Sequence, residues 1–162
     1  MTHLNRSKSL ACPWVRAIAY FDRYLTGLPE SKRAQGRELR LRVPLASLGL
    51  PGQFAIDRDV VTSFAPLTDP QGLDHGISVG WTPVGNAALP TFRGSLRITA
   101  ETAKSSLVVL DGDYEPPLGA LGKVFDAVVG RRIAEATGDE LLKTIAERIE
   151  LDYMTEEPHI SR

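Results

Sequence analysis

Residues 105–150, SSLVVLDGDYEPPLGALGKVFDAVVGRRIAEATGDELLKTIAERIE, constrain the fold of this chain more than any other stretch. They read as a strand, a proline-glycine corner and one long amphipathic helix. Leu107 to Leu110 is continuously apolar, and Gly112 and Tyr114 keep the phase of Val108 and Leu110. Pro116-Pro117 ends that strand, because a second proline removes another ladder donor. From Gly119 onward, Leu121, Val124, Phe125, Val128, Val129, Ile133, Ala136, Leu141, Leu142, Ile145 and Ile149 hold a spacing of three and four for most of the run, the signature of a helix with one apolar face. Unbroken, residues 119–150 would span about 48 Å. Gly130 and Gly138 are the points where bending or local weakening is expected. Such a helix needs a broad apolar surface to cover.

The preceding residues supply that surface as strands. Residues 3–10 are polar but suit a short edge strand. Pro13 then opens a helix over residues 13–26. Trp14, Ile18, Phe21 and Leu25 form its stripe, and Gly27 and Pro29 stop it. That stripe is read as core. Residues 30–37 form a charged connection. Residues 38–43 alternate, with Leu39, Leu41 and Val43 opposite Glu38, Arg40 and Arg42, as a strand with one wet face does. Residues 44–58 carry Pro44, Gly49, Pro51 and Gly52 and are expected to be loop or broken strand. Further strands are expected at 59–65, 77–82, 92–100 and 107–114, with residues 66–76 as a turn region. Short connections without intervening helices imply an antiparallel sheet. The fold class is therefore α+β, with the terminal helix covering the sheet and the first helix capping one end. Residues 1–151 are expected to form a single domain and 152–162 a flexible C-terminal tail.

Totals exclude several function classes. The 162 residues carry 19 basic and 20 acidic side chains, a net charge of −1, so no overall basicity argues for nucleic acid. One cysteine, Cys12, excludes an intrachain disulfide and any multi-cysteine metal site. Pro13, Arg16 and Asp22 interrupt what would be the apolar part of a signal peptide. No window is apolar over the roughly 18 residues that a membrane span needs. A cytoplasmic protein is expected.

The corner residues carry a family resemblance. The run Leu107-x-x-Leu110-x-Gly112-x-Tyr114-x-Pro116-Pro117-Leu118-Gly119-x-Leu121-Gly122, continuing through Phe125-Asp126 and Ile133-Ala134-Glu135-Ala136-Thr137, is similar to bacterial SRPBCC-type, polyketide cyclase/dehydrase-like proteins. With the element order it resembles the START-related, Bet v 1-like superfamily. The specific likeness covers residues 91–150. It implies a helix-grip fold: a curved antiparallel β-sheet wrapped around a long C-terminal α-helix, with a short N-terminal helical segment. It also implies a pocket between helix and sheet for an apolar or aromatic small molecule. The residues expected to line that pocket are Thr62, Phe64, Val79, Trp81, Phe92, Leu96, Leu110, Tyr114, Phe125 and Val128.

Catalytic signatures are scarce. His3, His75 and His159 lie at a terminus, a loop and a tail, and none is spaced as a metal ligand with another. His75 is read as a loop or surface histidine. Cys12 precedes a proline at a helix start, where the dipole could lower its pKa. A partly buried, inert thiol is the preferred reading. Asp111-Gly112-Asp113 fails as a calcium loop, since the twelfth position is Gly122 rather than glutamate. Its two carboxylates are expected on the solvent face. Gly119 to Lys123 fails as a phosphate loop, with Pro117 and Val124 at the required glycine and hydroxyl positions. Arg131-Arg132 reads as a solvated face. No cofactor and no metal is expected. The leading expectation is binding or carriage of a hydrophobic or aromatic small molecule. The alternatives are a cyclase/dehydratase-type enzyme on a polyketide-like substrate, using Tyr114 or a loop carboxylate, and a homodimeric interaction module without ligand.

Overall fold

The computed structural model describes residues 2–29, 37–44, 55–66, 75–83, 91–115 and 127–157. In chain order these form β1 (Thr2–Leu10), α1 (Trp14–Thr26), β2 (Arg37–Pro44), β3 (Ala55–Pro66), β4 (His75–Pro83), β5 (Thr91–Ala100), β6 (Ser106–Glu115) and α2 (Ala127–Glu156). The strands make one sheet in the order β1-β6-β5-β4-β3-β2. Every neighbouring pair is antiparallel. Consecutive strands from β2 to β6 are therefore neighbours, and β1 closes onto β6.

The period-two pattern sets which face meets the helices. In β2, Leu39 and Leu41 are buried while Arg40 and Arg42 are exposed. In β5, Phe92, Leu96 and Ile98 are buried. In β6, Val108, Leu110 and Tyr114 share the buried face. On α2, Ile133, Thr137, Leu141, Leu142, Ile145 and Ile149 form the buried stripe. That stripe packs against β1, β6 and β2. Since β1 and β2 are the two edges of the sheet, the sheet curves far enough for both edges to reach one helix.

α1 closes one end of this grip. Its apolar side buries Ala17, Tyr20 and Phe21, with Trp14, Ile18 and Leu25 half-buried. Pro13 stands one position earlier than expected, at the N-cap. Its carbonyl accepts the amides of Arg16 and Ala17 at 3.0 and 2.9 Å. Polar ties then fix α1 across the sheet. The Trp14 indole N–H donates to the Ile98 carbonyl at 3.1 Å. His75 Nε2 lies 2.8 Å from Asp22 Oδ1. Arg37 donates to the carbonyls of Thr26 and Leu28 at the far end of α1.

Three boundaries and one internal position differ most from the sequence reading. β3 starts at Ala55, four residues before the expected strand. The charged run Asp57-Arg58-Asp59 hides its alternation, yet the register sets Arg42 opposite Asp57 and Arg40 opposite Asp59, and opposite charges across a ladder favour pairing. His75 is the first residue of β4 rather than part of a loop, opposite Ile98. α2 is continuous at Gly138. A Cβ there would stand 3.3 Å from Leu110 and 3.4 Å from Leu4, so this glycine lets the helix backbone approach β1 and β6. α2 also continues to Glu156 instead of ending near residue 150. Its last turns are held by α1, through Tyr20 edge-on to Tyr153 and through ion pairs of Arg16 with Glu157 and Arg23 with Glu156. The expected helix start at Gly119 lies outside the described residues. No described helix is long and apolar enough to cross a membrane.

Candidate functional site

The strand register assembles much of the expected lining into one row. Thr62 on β3 stands opposite Trp81 on β4. Trp81 faces Phe92 on β5, and Phe92 faces Tyr114 on β6. The adjacent row carries Phe64, Val79, Gly94, Gly112 and Leu4. Leu96 and Leu110 pair in the row after that. Thr62, Val79, Trp81, Phe92, Leu96, Leu110 and Tyr114 are all between 0% and 4% exposed. These seven form a buried surface. Phe125 lies outside the described residues. Phe64 and Val128 are placed only by backbone position, on β3 and α2.

Two stacked rings dominate the row. The Trp81 and Phe92 centroids are 4.3 Å apart with planes inclined by 16°, an arrangement worth about 0.5–1.5 kcal/mol beyond the area buried. The Phe92 ring extends over Gly94 and Gly112. A Cβ on Gly94 would stand 2.6 Å from the Gly112 Cα and 2.8 Å from Phe92 Cζ. A Cβ on Gly112 would stand 2.5 Å from the Gly94 Cα and 2.7 Å from Phe92 Cζ. The paired glycines thus form a floor in which the ring occupies the volume that side chains would take. The sequence places both glycines in the inward phase of their strands, but only the register reveals that they face each other.

Polar groups around the row are mostly committed to structure. The Thr62 hydroxyl donates to the Arg37 carbonyl at 2.8 Å, joining the row to the strand that holds the end of α1. Arg6 of β1 reaches Asp139 of α2 through two nitrogens, at 2.6 and 2.5 Å, a forked contact of the kind guanidinium favours. It ties the helix to the edge strand beside the row. Neither this pair nor the glycine floor was visible from sequence spacing, since the partners lie far apart in the chain.

The remaining candidate groups are elsewhere. Cys12 is fully buried, and burial pushes its thiol up to about 11. This is the opposite of dipole activation. Its Sγ lies 3.7 Å from the Pro13 carbonyl. Asp111 and Asp113 point away from the row, as their alternation with Gly112 predicts. His3 approaches them at 3.2 and 3.4 Å, and Asn5 donates to Asp111 at 2.7 Å. Among the described residues no group of three His, Cys, Asp or Glu is placed to hold a metal ion. Arg131 pairs with Glu135 at 2.9 Å, and Arg132 is exposed. His159 and the segment from Gly119 to Lys123 lie outside the described residues.

No family model matches this chain, and no curated protein matches it. Solved structures do. The Zhui aromatase/cyclase from a Streptomyces species is 14% identical over 98% of each chain, with a TM-score of 0.56. A conserved protein from Geobacillus kaustophilus is 10% identical over 96% of this chain and 97% of its own, at 0.55. A Thermus thermophilus protein is 14% identical over 93% and 99%, at 0.53. At these identities the likeness speaks for the fold alone. The curved antiparallel sheet gripping α2, closed at one end by α1, is the helix-grip fold expected from the sequence, and it is shared with the aromatase/cyclase.

Proposed function

We propose that this protein binds or carries an apolar or aromatic small molecule between the concave face of the sheet and α2. The observation that supports this most is the row of Thr62, Trp81, Phe92 and Tyr114. It gathers two stacked rings, a phenol and a hydroxyl on one inward face. Recognition would be mainly by burial of apolar surface, at about 25 cal/mol per Å². The indole and phenol add flat walls with polar tips that orient a guest. A guest seated against this row lies beside Trp81, whose emission reports it directly. We assign the work to the cytoplasm, where a protonated, buried Cys12 is at no disadvantage.

A cyclase or dehydratase reading rests on Tyr114, the one ionisable member of the proposed lining. The fold shared with an aromatase/cyclase makes the comparison worth running. Titration of the full chain with 2-naphthol, read by Trp81 emission in a Trp14→Phe background, tests binding. Product analysis with a polyketide-like substrate separates carriage from turnover. An enzyme loses product formation in Tyr114→Phe while keeping its guest.

A further inference from the structure

A second feature lies at the α1–α2 junction and is lined by no residue of the concave row. A cleft of about 310 Å³ is lined by Arg23, Tyr24, Gly27 and Leu28 from the end of α1, and by Arg148 and Asp152 from α2. That volume is at the small end of the range for small-molecule sites. One wall is apolar, from the Tyr24 ring and Leu28. The other is charged.

Donor supply decides which charge the cleft would accept. Arg148 uses Nε to bond Asp152 at 3.2 Å, while its two terminal nitrogens have no partner among the described residues. Its side chain is 58% exposed. The Tyr24 hydroxyl likewise has no hydrogen-bond partner among the described residues, and burial holds its phenol protonated by raising its pKa. The acids of the junction are already engaged: Asp152 by Arg148 and Glu156 by Arg23. The carbonyls at the negative end of α1, Thr26 and Leu28, are covered by Arg37. A cation would have to displace an arginine from its carboxylate. An anion meets donors that no described protein group engages, displacing only solvent.

We propose that this cleft is a second binding site, for a small amphipathic carboxylate. The carboxylate bonds the terminal nitrogens of Arg148 and the Tyr24 hydroxyl, and the apolar body lies on the Tyr24 ring and Leu28. Arg23 contributes positive field while remaining paired.

Calorimetric titration of the full chain with hexanoate, hexanol and hexylammonium at low ionic strength tests this. Saturable binding is expected for hexanoate, with hexanol and hexylammonium at least about tenfold weaker, because a charge-assisted bond is lost. Arg148→Gln should weaken hexanoate about tenfold and leave hexanol unchanged. Asp152→Asn should strengthen hexanoate by freeing the Nε of Arg148, a change that a merely structural arginine would not produce. Both substitutions remove one i,i+4 pair between an exposed arginine and a half-buried aspartate, and far-UV circular dichroism checks that both variants fold. Trp81 emission in the Trp14→Phe background should not respond to hexanoate, which distinguishes this site from the concave row. The proposal is overturned by the absence of saturable hexanoate binding, by equal affinities in the parent and Arg148→Gln, or by a Trp81 response to hexanoate.

Discussion

The concave row and the α1–α2 junction are built from opposite materials. In the row, contact is ring on ring and ring on backbone, with Phe92 lying over Gly94 and Gly112. At the junction, Arg16 and Arg23 reach Glu157 and Glu156 around Tyr20 and Tyr153, mostly in solvent. Dense apolar packing tolerates little change in shape. Exposed ion pairs contribute little each and weaken with salt. The wall of the grip is therefore sterically stiff, and its clasp is electrostatically soft. If the molecule opens at this end, the junction gives way before the row does.

Substitutions break this contrast at graded cost. Gly112→Ala should have the largest effect, because its Cβ meets backbone at the Gly94 Cα as well as the Phe92 ring. The expected loss is about 3 kcal/mol, read as a lower urea midpoint at unchanged slope. Gly138→Ala is the control. Its Cβ meets only the methyl ends of Leu110 and Leu4 and the stem of Arg6, and alanine regains up to about 1 kcal/mol of helix propensity, so the net change should be small. A large loss at Gly138 and none at Gly112 would refute the glycine floor.

Cys12 gives an intermediate effect with a defined pH window. Its folded pKa, raised by burial from 9.0 to about 11, means that the native state holds a proton which the unfolded chain releases. Stability from this group is complete below pH 9 and is lost as pH climbs toward 11. The loss should be on the order of 2–3 kcal/mol, and the difference between parent and Cys12→Ala isolates it from the tyrosines. The intact thiol should also react slowly with a disulfide reagent at neutral pH.

The smallest effect belongs to the clasp. Arg23→Gln should leave the global urea midpoint nearly unchanged, with hydrogen exchange accelerated in the last turns of α2 and the difference erased by salt. Glu156 is held below the usual carboxylate range chiefly by its bond to Arg23. The contact is present above the ordinary glutamate pKa and fades as pH falls through the depressed one. Arg23→Gln should remove this acid sensitivity.

Local pattern made the strands legible, and with them most of the row. Alternation alone placed Trp81, Phe92, Leu96 and Tyr114 on inward faces, because a half-buried strand repeats every second residue. It could not supply the register, so neither the Trp81–Phe92 stack nor the contact of Gly94 with Gly112 was foreseen. The start of β3 was missed because its charged run hides the alternation, and the register that sets it opposite Arg40 and Arg42 is not legible along the chain. The end of α2 was missed for a related reason. Asp152 to Glu156 is too polar to announce a packed helix, and its partners are more than a hundred residues earlier on α1. The Tyr24–Arg148 cleft joins the same two distant segments.

The central claim, that the row receives a guest, is tested most directly by Trp81 emission in the Trp14→Phe chain titrated with 2-naphthol. A saturable change with one-to-one stoichiometry is expected, and hexanoate should not produce it. A linear response with no saturation, or unchanged emission throughout, would contradict the account and leave the row as a solid core.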